Sequence, residues 1–286
     1  MTRLRLGSTA HRDLFCRDFV TSHLQYEPER LPWPELDGDV LSRLQGIPFW
    51  GEALATERET GEKISAYATR VADPVLREAL ALQGREEVRH AALLETLIAR
   101  YGLTAVPRRV LPLADDLELA FVDAGYGECI DSFFAFGLFA IARRAGFFPE
   151  SLLSVVEPIV AEEARHIVFF TNWEAYRGVQ RHGGALLLRG LRSIRYYIRA
   201  VKRRRGVFRN AGGSGFTAGG ASTVVHDLTP VSFLETCLSE NARRLSGVDP
   251  RLLRPRLMPT LARAALRGLR RLPARSRPAQ TERSVP

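Results

Sequence analysis

The sequence predicts an all-α protein, a four-helix bundle followed by additional C-terminal helices. Three observations predict it. Apolar residues recur at helical spacing through four long segments between residues 50 and 176. Strand signals are nearly absent, because apolar–polar alternation is brief and Val/Ile/Thr clusters are few. Two pentapeptides nearly repeat, EEVRH at 86–90 and EEARH at 162–166, and each falls within one of the long segments.

The elements follow in order. Residues 1–45, with Pro32 and Pro34, read as an N-terminal arm with one short helix. The first long helix covers 50–71. Asp73-Pro74 ends it and opens the next, since Asp caps a helix and Pro suits its first turn. The second reaches Tyr101 and stops at Gly102. After a loop over 103–113, a third spans 115–144 and is broken by Gly146. Pro149 opens a fourth that reaches Tyr176, with a kink expected at Pro158. A basic amphipathic helix is expected over 185–204, a Gly-rich loop over 211–220, a short helix over 231–245 and a last helical stretch over 252–269. The expected division is an arm at 1–45, the bundle at 46–180, a helical extension at 181–250 and a basic, partly disordered tail at 251–286.

Hydrophobic residues make up 45% and charged residues 26%, enough to build a core. The net charge of +9 gathers toward the C-terminus. One block holds Arg192, Arg195, Arg199 and Lys202 to Arg205; another holds Arg263, Arg267, Arg270, Arg271, Arg275 and Arg277. Such blocks are solvated faces or meet an acidic partner, an anionic membrane or nucleic acid, the last two the less favoured. Three distant cysteines, Cys16, Cys129 and Cys237, argue against a disulfide framework, a zinc site or an iron–sulfur site. They fit a reducing compartment, so a cytoplasmic location is expected, and no secretory signal is evident. The longest apolar run, 132–142, is too short to span a bilayer.

The pentapeptides carry the chemistry. Each contains Glu-x-x-His, Glu87 with His90 and Glu163 with His166. Positions i and i+3 share a helix face, so a carboxylate and an imidazole can grip one metal ion, a pairing that suits iron or manganese. Both pairs lie on apolar stripes: Leu76, Leu80, Gln83, Glu87, His90, Leu94 and Leu97 in one helix, and Val156, Ile159, Glu163, His166, Phe170 and Trp173 in the other. Charged groups are costly on such stripes unless they are paired or bind metal. A two-metal site needs carboxylates from the other two helices. Glu57 lies on the core stripe of the first, with Gly61 one turn on leaving space beside the metals. Glu128 shares a face with the small residues Ala124, Ser132 and Ala135, and Asp131 is the alternative. Glu57 precedes Glu87 by 30 residues and Glu128 precedes Glu163 by 35, as two similar helical hairpins would require.

The set Glu57, Glu87-x-x-His90, Glu128 and Glu163-x-x-His166 resembles the ferritin-like di-iron carboxylate superfamily. The pentapeptides are also similar to the [Asp/Glu]-Glu-x-Arg-His signature of bacterial multicomponent monooxygenase hydroxylases. The pattern is similar again to the p-aminobenzoate N-oxygenase family, which has a further histidine where this chain has Ile159. The resemblance covers about residues 50–176. It implies two iron ions, Fe/Fe or Mn/Fe, on those six residues. It also implies an outer shell in which Glu86 serves His166 and Glu162 serves His90; pairing with Arg89 and Arg165 is the alternative.

The reaction expected from that resemblance is O₂-dependent oxidation of a small, largely apolar organic substrate by a non-haem di-iron oxygenase or oxidase. Phe133, Phe134, Phe136, Phe139, Phe147, Phe148, Phe169 and Phe170 would form an apolar pocket or simply pack the core, and Tyr67 lies near the same face. No CxxC pair, Rossmann glycine motif or P-loop is present, so electrons would come from an external donor such as a ferredoxin or reductase. The alternatives are an iron-handling ferroxidase or peroxide scavenger, and an RNA-modifying di-iron hydroxylase. Glu240, Asn241, Arg243 and Arg244 would cap the bundle, line an entrance or contact a second copy in a homodimer.

Overall fold

The computed structural model describes residues 4–107, 112–182, 192–202 and 228–271. These residues are helical, with no strand among them. The expected Gly-rich loop at 211–220, the tail from 273 and both ends of the 185–204 helix lie outside the described residues; 192–202 is helical.

The N-terminal region holds more than the single short helix expected. It forms α1 (Thr9–Thr21), a 3₁₀ turn (Pro28–Arg30) and α2 (Gly38–Gln45). Ser8 and Asp37 cap the two helices by accepting from the His11 and Val40 amides at 3.2 and 2.8 Å. Four long helices follow: α3 (Trp50–Ala68), α4 (Pro74–Tyr101), α5 (Leu117–Arg144) and α6 (Glu150–His182). Asp73 caps α4 at the Val75 and Leu76 amides, and Gly102 ends it at a φ of 59°, the left-handed conformation that glycine adopts freely. Asp116, not Asp115, caps α5. Helix α6 runs on through Pro158 and ends six residues beyond Tyr176. Two C-terminal helices, α7 (Pro230–Arg244) and α8 (Leu257–Leu269), complete the described fold.

Helix α3 packs on α4 and α5, and α5 and α4 both pack on α6. Two apolar clusters lie at opposite ends of this group. One gathers Ile64, Leu80, Phe121, Phe170 and Trp173; the other gathers Leu94, Leu97, Leu152 and, partly buried, Leu54 and Ile159. The chain directions implied are antiparallel for α3 with α4 and for α4 with α6. A polar layer containing Glu57, Glu87, His90, Glu163 and His166 falls in the sequence interval between the two clusters on every one of these helices. Helix α1 lies over α4 and α6, placing Phe15 and Phe19 in the main cluster.

The eight phenylalanines do not gather into one pocket. Phe136, Phe169 and Phe170 belong to the main core, Phe133 packs with Phe233 of α7, and Phe148 joins the Leu94 end. Tyr67 stacks on Phe121 at a centroid distance of 5.2 Å. Helix α7 packs on α5, and its Arg244 reaches α6, where Nη1 donates to Glu157 at 2.8 Å. Helix α5 is long and apolar enough to cross a membrane by length and composition, but 67% of its apolar 18-residue window is buried inside the fold.

Candidate metal centre

Glu87, His90, Glu163 and His166 meet at the middle of the helix group. Each offers one ligand atom, and the four atoms all lie within 4.8 Å of one another, so they can hold a metal ion. The i, i+3 spacing presents each Glu–His pair on one face of its helix, and α4 and α6 turn these faces toward each other. The imidazole rings sit 5.5 Å apart. His166 Nδ1 is 3.0 Å from Glu87, and His90 Nδ1 is 3.5 Å from Glu163 and 3.4 Å from Glu57. Glu128 completes the group from α5. Its carboxyl feels the charges of Glu87, Glu163, Glu57 and His166, and Gln83 Nε2 lies 3.5 Å from its Oε2.

The outer layer is crosswise. His166 Nε2 donates to Glu86 Oε2 at 2.9 Å and His90 Nε2 donates to Glu162 Oε2 at 3.0 Å. The arginines of the pentapeptides serve the same two carboxylates rather than competing for them. Arg165 donates to the other oxygen of Glu86 at 3.0 Å, and Arg89 donates to the other oxygen of Glu162. A carboxylate oxygen accepts, so each imidazole carries a proton on Nε2 and turns its Nδ1 edge inward, where a bound cation would take the place of the Nδ1 proton. The charged residues of Glu-Glu-x-Arg-His thus divide into two sets. The first Glu and the Arg brace the opposite helix, while the second Glu and the His face the interior.

Burial sets the electrostatics. It pushes the Glu57 carboxyl up to about 8, reinforced by Glu87 and Glu163 and opposed by His90. Burial and the same two carboxylates hold Glu128 well above the usual carboxylate range. Burial would raise Glu87 and Glu163 as well, but the imidazoles pull both below it. The imidazoles, which burial alone would neutralise, are held protonated well above their ordinary value by the surrounding carboxylates.

The donor set fits a cation. Buried His90 Nδ1, His166 Nδ1, Glu87 Oε1 and Glu128 Oε1 make no well-aligned hydrogen bond, even where His166 Nδ1 and Glu87 Oε1 approach to 3.0 Å, although such atoms in a folded interior are nearly always satisfied. Neither arginine of the layer turns to the inner carboxylates; both are engaged by Glu86 and Glu162. Exposure is uneven. Glu57 and Glu163 keep 19% and 16% of their side-chain area, whereas both imidazoles keep none, so the open side is the carboxylate side.

Several contributors were silent in the sequence. Ser132 Oγ donates to Glu163 at 3.1 Å, and Tyr26 Oη donates to Glu162 at 3.1 Å. Phe19 approaches the His166 ring at 5.9 Å, and its carbonyl accepts from Arg165. Spacing along one helix could flag Gln83, one turn before Glu87, but Tyr26 and Phe19 come from the N-terminal arm and have no local signal. Gly61 does not leave room beside the centre. A Cβ there would lie 3.2 Å from the Cβ of Glu87, so the glycine lets α3 approach α4 at that level.

Fold and site together define a helical protein with a buried carboxylate–imidazole cluster able to bind metal. No protein-family model matches the chain, and neither curated proteins nor solved structures give a significant match.

Proposed function

We propose that α3 to α6 form a ferritin-like four-helix bundle holding two iron ions, and that the protein is a non-haem di-iron oxygenase or oxidase. The observation that carries this reading is the convergence of ligand atoms from Glu87, His90, Glu163 and His166 to within 4.8 Å of one another in the interior of the helix group. Glu57, Glu87, Glu128 and Glu163 supply four carboxylates, and His90 and His166 supply one imidazole each. Four carboxylates match the charge of two divalent cations, and mixed oxygen and imidazole donors suit iron or manganese. These six residues would hold the iron, which would supply redox chemistry toward O₂ for the oxidation of a substrate.

This chain's residues do the rest. Glu86 and Glu162 fix the orientation of the two imidazoles, and Arg165 and Arg89 hold those carboxylates in place. Ser132 steadies Glu163 through one of its oxygens, and Gln83 does the same for Glu128. The partly open side at Glu57 and Glu163 admits O₂ and substrate. Apolar clusters on both sides of the polar layer exclude bulk water and support a small, largely apolar substrate. Reducing equivalents come from an external donor.

The test is iron content per chain after anaerobic Fe(II) loading, beside Glu87→Ala and His166→Ala. About two irons per chain, with stoichiometric loss in both variants, is the expected result. Wild-type protein that retains no transition metal would overturn the reading.

A further inference from the structure

The C-terminal third carries a feature that metal binding does not use. From 175 to 226 the chain has 11 Lys/Arg and no Asp or Glu over 52 residues. Within this interval, beyond the end of α6 at His182, residues 192–202 are described and form a helix with three sectors. One is buried on α5: Tyr197 meets the Tyr126 ring at 4.7 Å, and Ser193 lies 2.9 Å from the Tyr126 hydroxyl. A second is exposed and aliphatic, with Ile194, Ile198 and Val201 at 48%, 51% and 40% exposure and at the i, i+4, i+7 spacing of one stripe. The third is cationic. Arg192 and Arg199 are anchored to Glu174 and Asp123 at 2.8 and 3.0 Å, whereas Arg195 and Lys202 point to solvent.

Helix α8 adds a second row of exposed cations. Ala262 and Leu266 are buried, Leu261 is 52% exposed, and Arg256, Arg263, Arg267 and Arg271 recur along one exposed face. Both helices cover α5, one at its N-terminal half and the other toward Phe133 and Ile141. Of the seven large exposed aliphatic side chains among the described residues, four lie on these two helices. A solvated helix face would intersperse acids with bases and would not leave an aliphatic stripe beside the cations.

We propose that the 192–202 helix forms a docking face for an anionic lipid surface, with Ile194, Ile198 and Val201 entering the acyl boundary and the flanking Arg195 and Lys202 reaching the headgroups. The stripe holds only aliphatic side chains, without the aromatic anchor that typifies a protein hot spot, and long cationic chains beside it can extend to the phosphate level while their stems stay apolar. The charge complement is an anionic leaflet. The face is peripheral and independent of the metal reading, though it would set a largely apolar substrate within reach.

The test is flotation of the full chain with phosphatidylglycerol-containing vesicles and with pure phosphatidylcholine vesicles, at low and high salt. Expected is retention on the anionic vesicles only, weakened by salt. Removing both Arg195 and Lys202 by substitution with Ala lowers partitioning by about 10- to 30-fold, since each cation near such a surface is worth about fivefold. Ile198→Ser lowers it by about tenfold through lost apolar burial. Unchanged helicity and metal content in these surface variants exclude misfolding. Absence of wild-type retention on anionic vesicles overturns the proposal in favour of an acidic protein surface. Retention indifferent to Ile198→Ser overturns insertion.

Discussion

Glu86 divides its two oxygens between an imidazole and a guanidinium of the opposite helix, and Glu162 does the same in mirror fashion. Removing one such brace frees an imidazole to rotate and leaves a partly buried arginine short of its anion. Glu86→Ala is therefore expected to weaken metal binding by about 10- to 100-fold. Glu62→Ala, on the exposed side of α3, should leave it unchanged; titration with Fe(II) or Zn(II) compares them. The protonation pattern makes a second prediction. Without metal, Glu57 and Glu128 hold protons, Glu87 and Glu163 are ionised, and both imidazoles are cationic, which balances the cluster. Two divalent ions would displace one proton from each of Glu57, Glu128, His90 and His166, so loading should release about four protons. Calorimetry in buffers of different ionisation enthalpy measures this number, and a value near zero would contradict the assignment of these ligands.

Helices meet here through glycines as much as through large side chains. A Cβ on Gly125 of α5 would lie 2.2 Å from the Phe170 ring of α6, and that ring is held by Phe121, Tyr126 and Trp173. Alanine would gain up to ~1 kcal/mol of helix propensity but force a locked aromatic cluster apart, which costs ~1–3 kcal/mol. Overpacking wins, so Gly125→Ala should lower Tm. Gly268 of α8 has nothing within 4 Å of its added Cβ, so Gly268→Ala should gain up to ~1 kcal/mol. Thermal melts of the two variants should move in opposite directions. At this scale helix ends are legible in the sequence where local chemistry decides them. Asp73-Pro74 and Gly102 bound α4 as expected, because caps act within a few residues. The N-terminal arm is less legible, because α1 owes its place to Phe15 and Phe19 packing on distant helices.

Across the whole molecule, the centre couples stability to pH. The folded-state pKa of Glu57 is raised to about 8 from an ordinary value of 4.5, and those of both imidazoles are raised as well. A raised folded-state value contributes stability that is fully present below the unfolded pKa and is lost as pH rises through the folded one. The metal-free protein should therefore lose stability as pH rises from about 4.5 through 8 on account of Glu57, and loaded protein should be spared this loss because the metals replace the protons. Glu87 and Glu163, with depressed values, act oppositely at the acid side, where stability falls as they take up protons. Melting temperatures across pH with and without a chelator report the difference; identical profiles would exclude metal occupancy of this cluster.

By itself the sequence determined the helical class and the two Glu-x-x-His faces, because periodicity and i, i+3 spacing are local consequences of the α-helix. It also supplied Glu57 and Glu128 as candidates, since each falls on its helix's inward stripe. Only the tertiary structure decided which carboxylate meets which imidazole, that Arg89 and Arg165 brace the opposite helix, and that Tyr26, Phe19 and Ser132 join the layer. It also decided that Gly61 serves helix contact and that the phenylalanines disperse over three clusters. The physical reason is range. Helix periodicity is written within a few residues, whereas partners separated by 72 to 146 positions are chosen by packing, which no local pattern encodes.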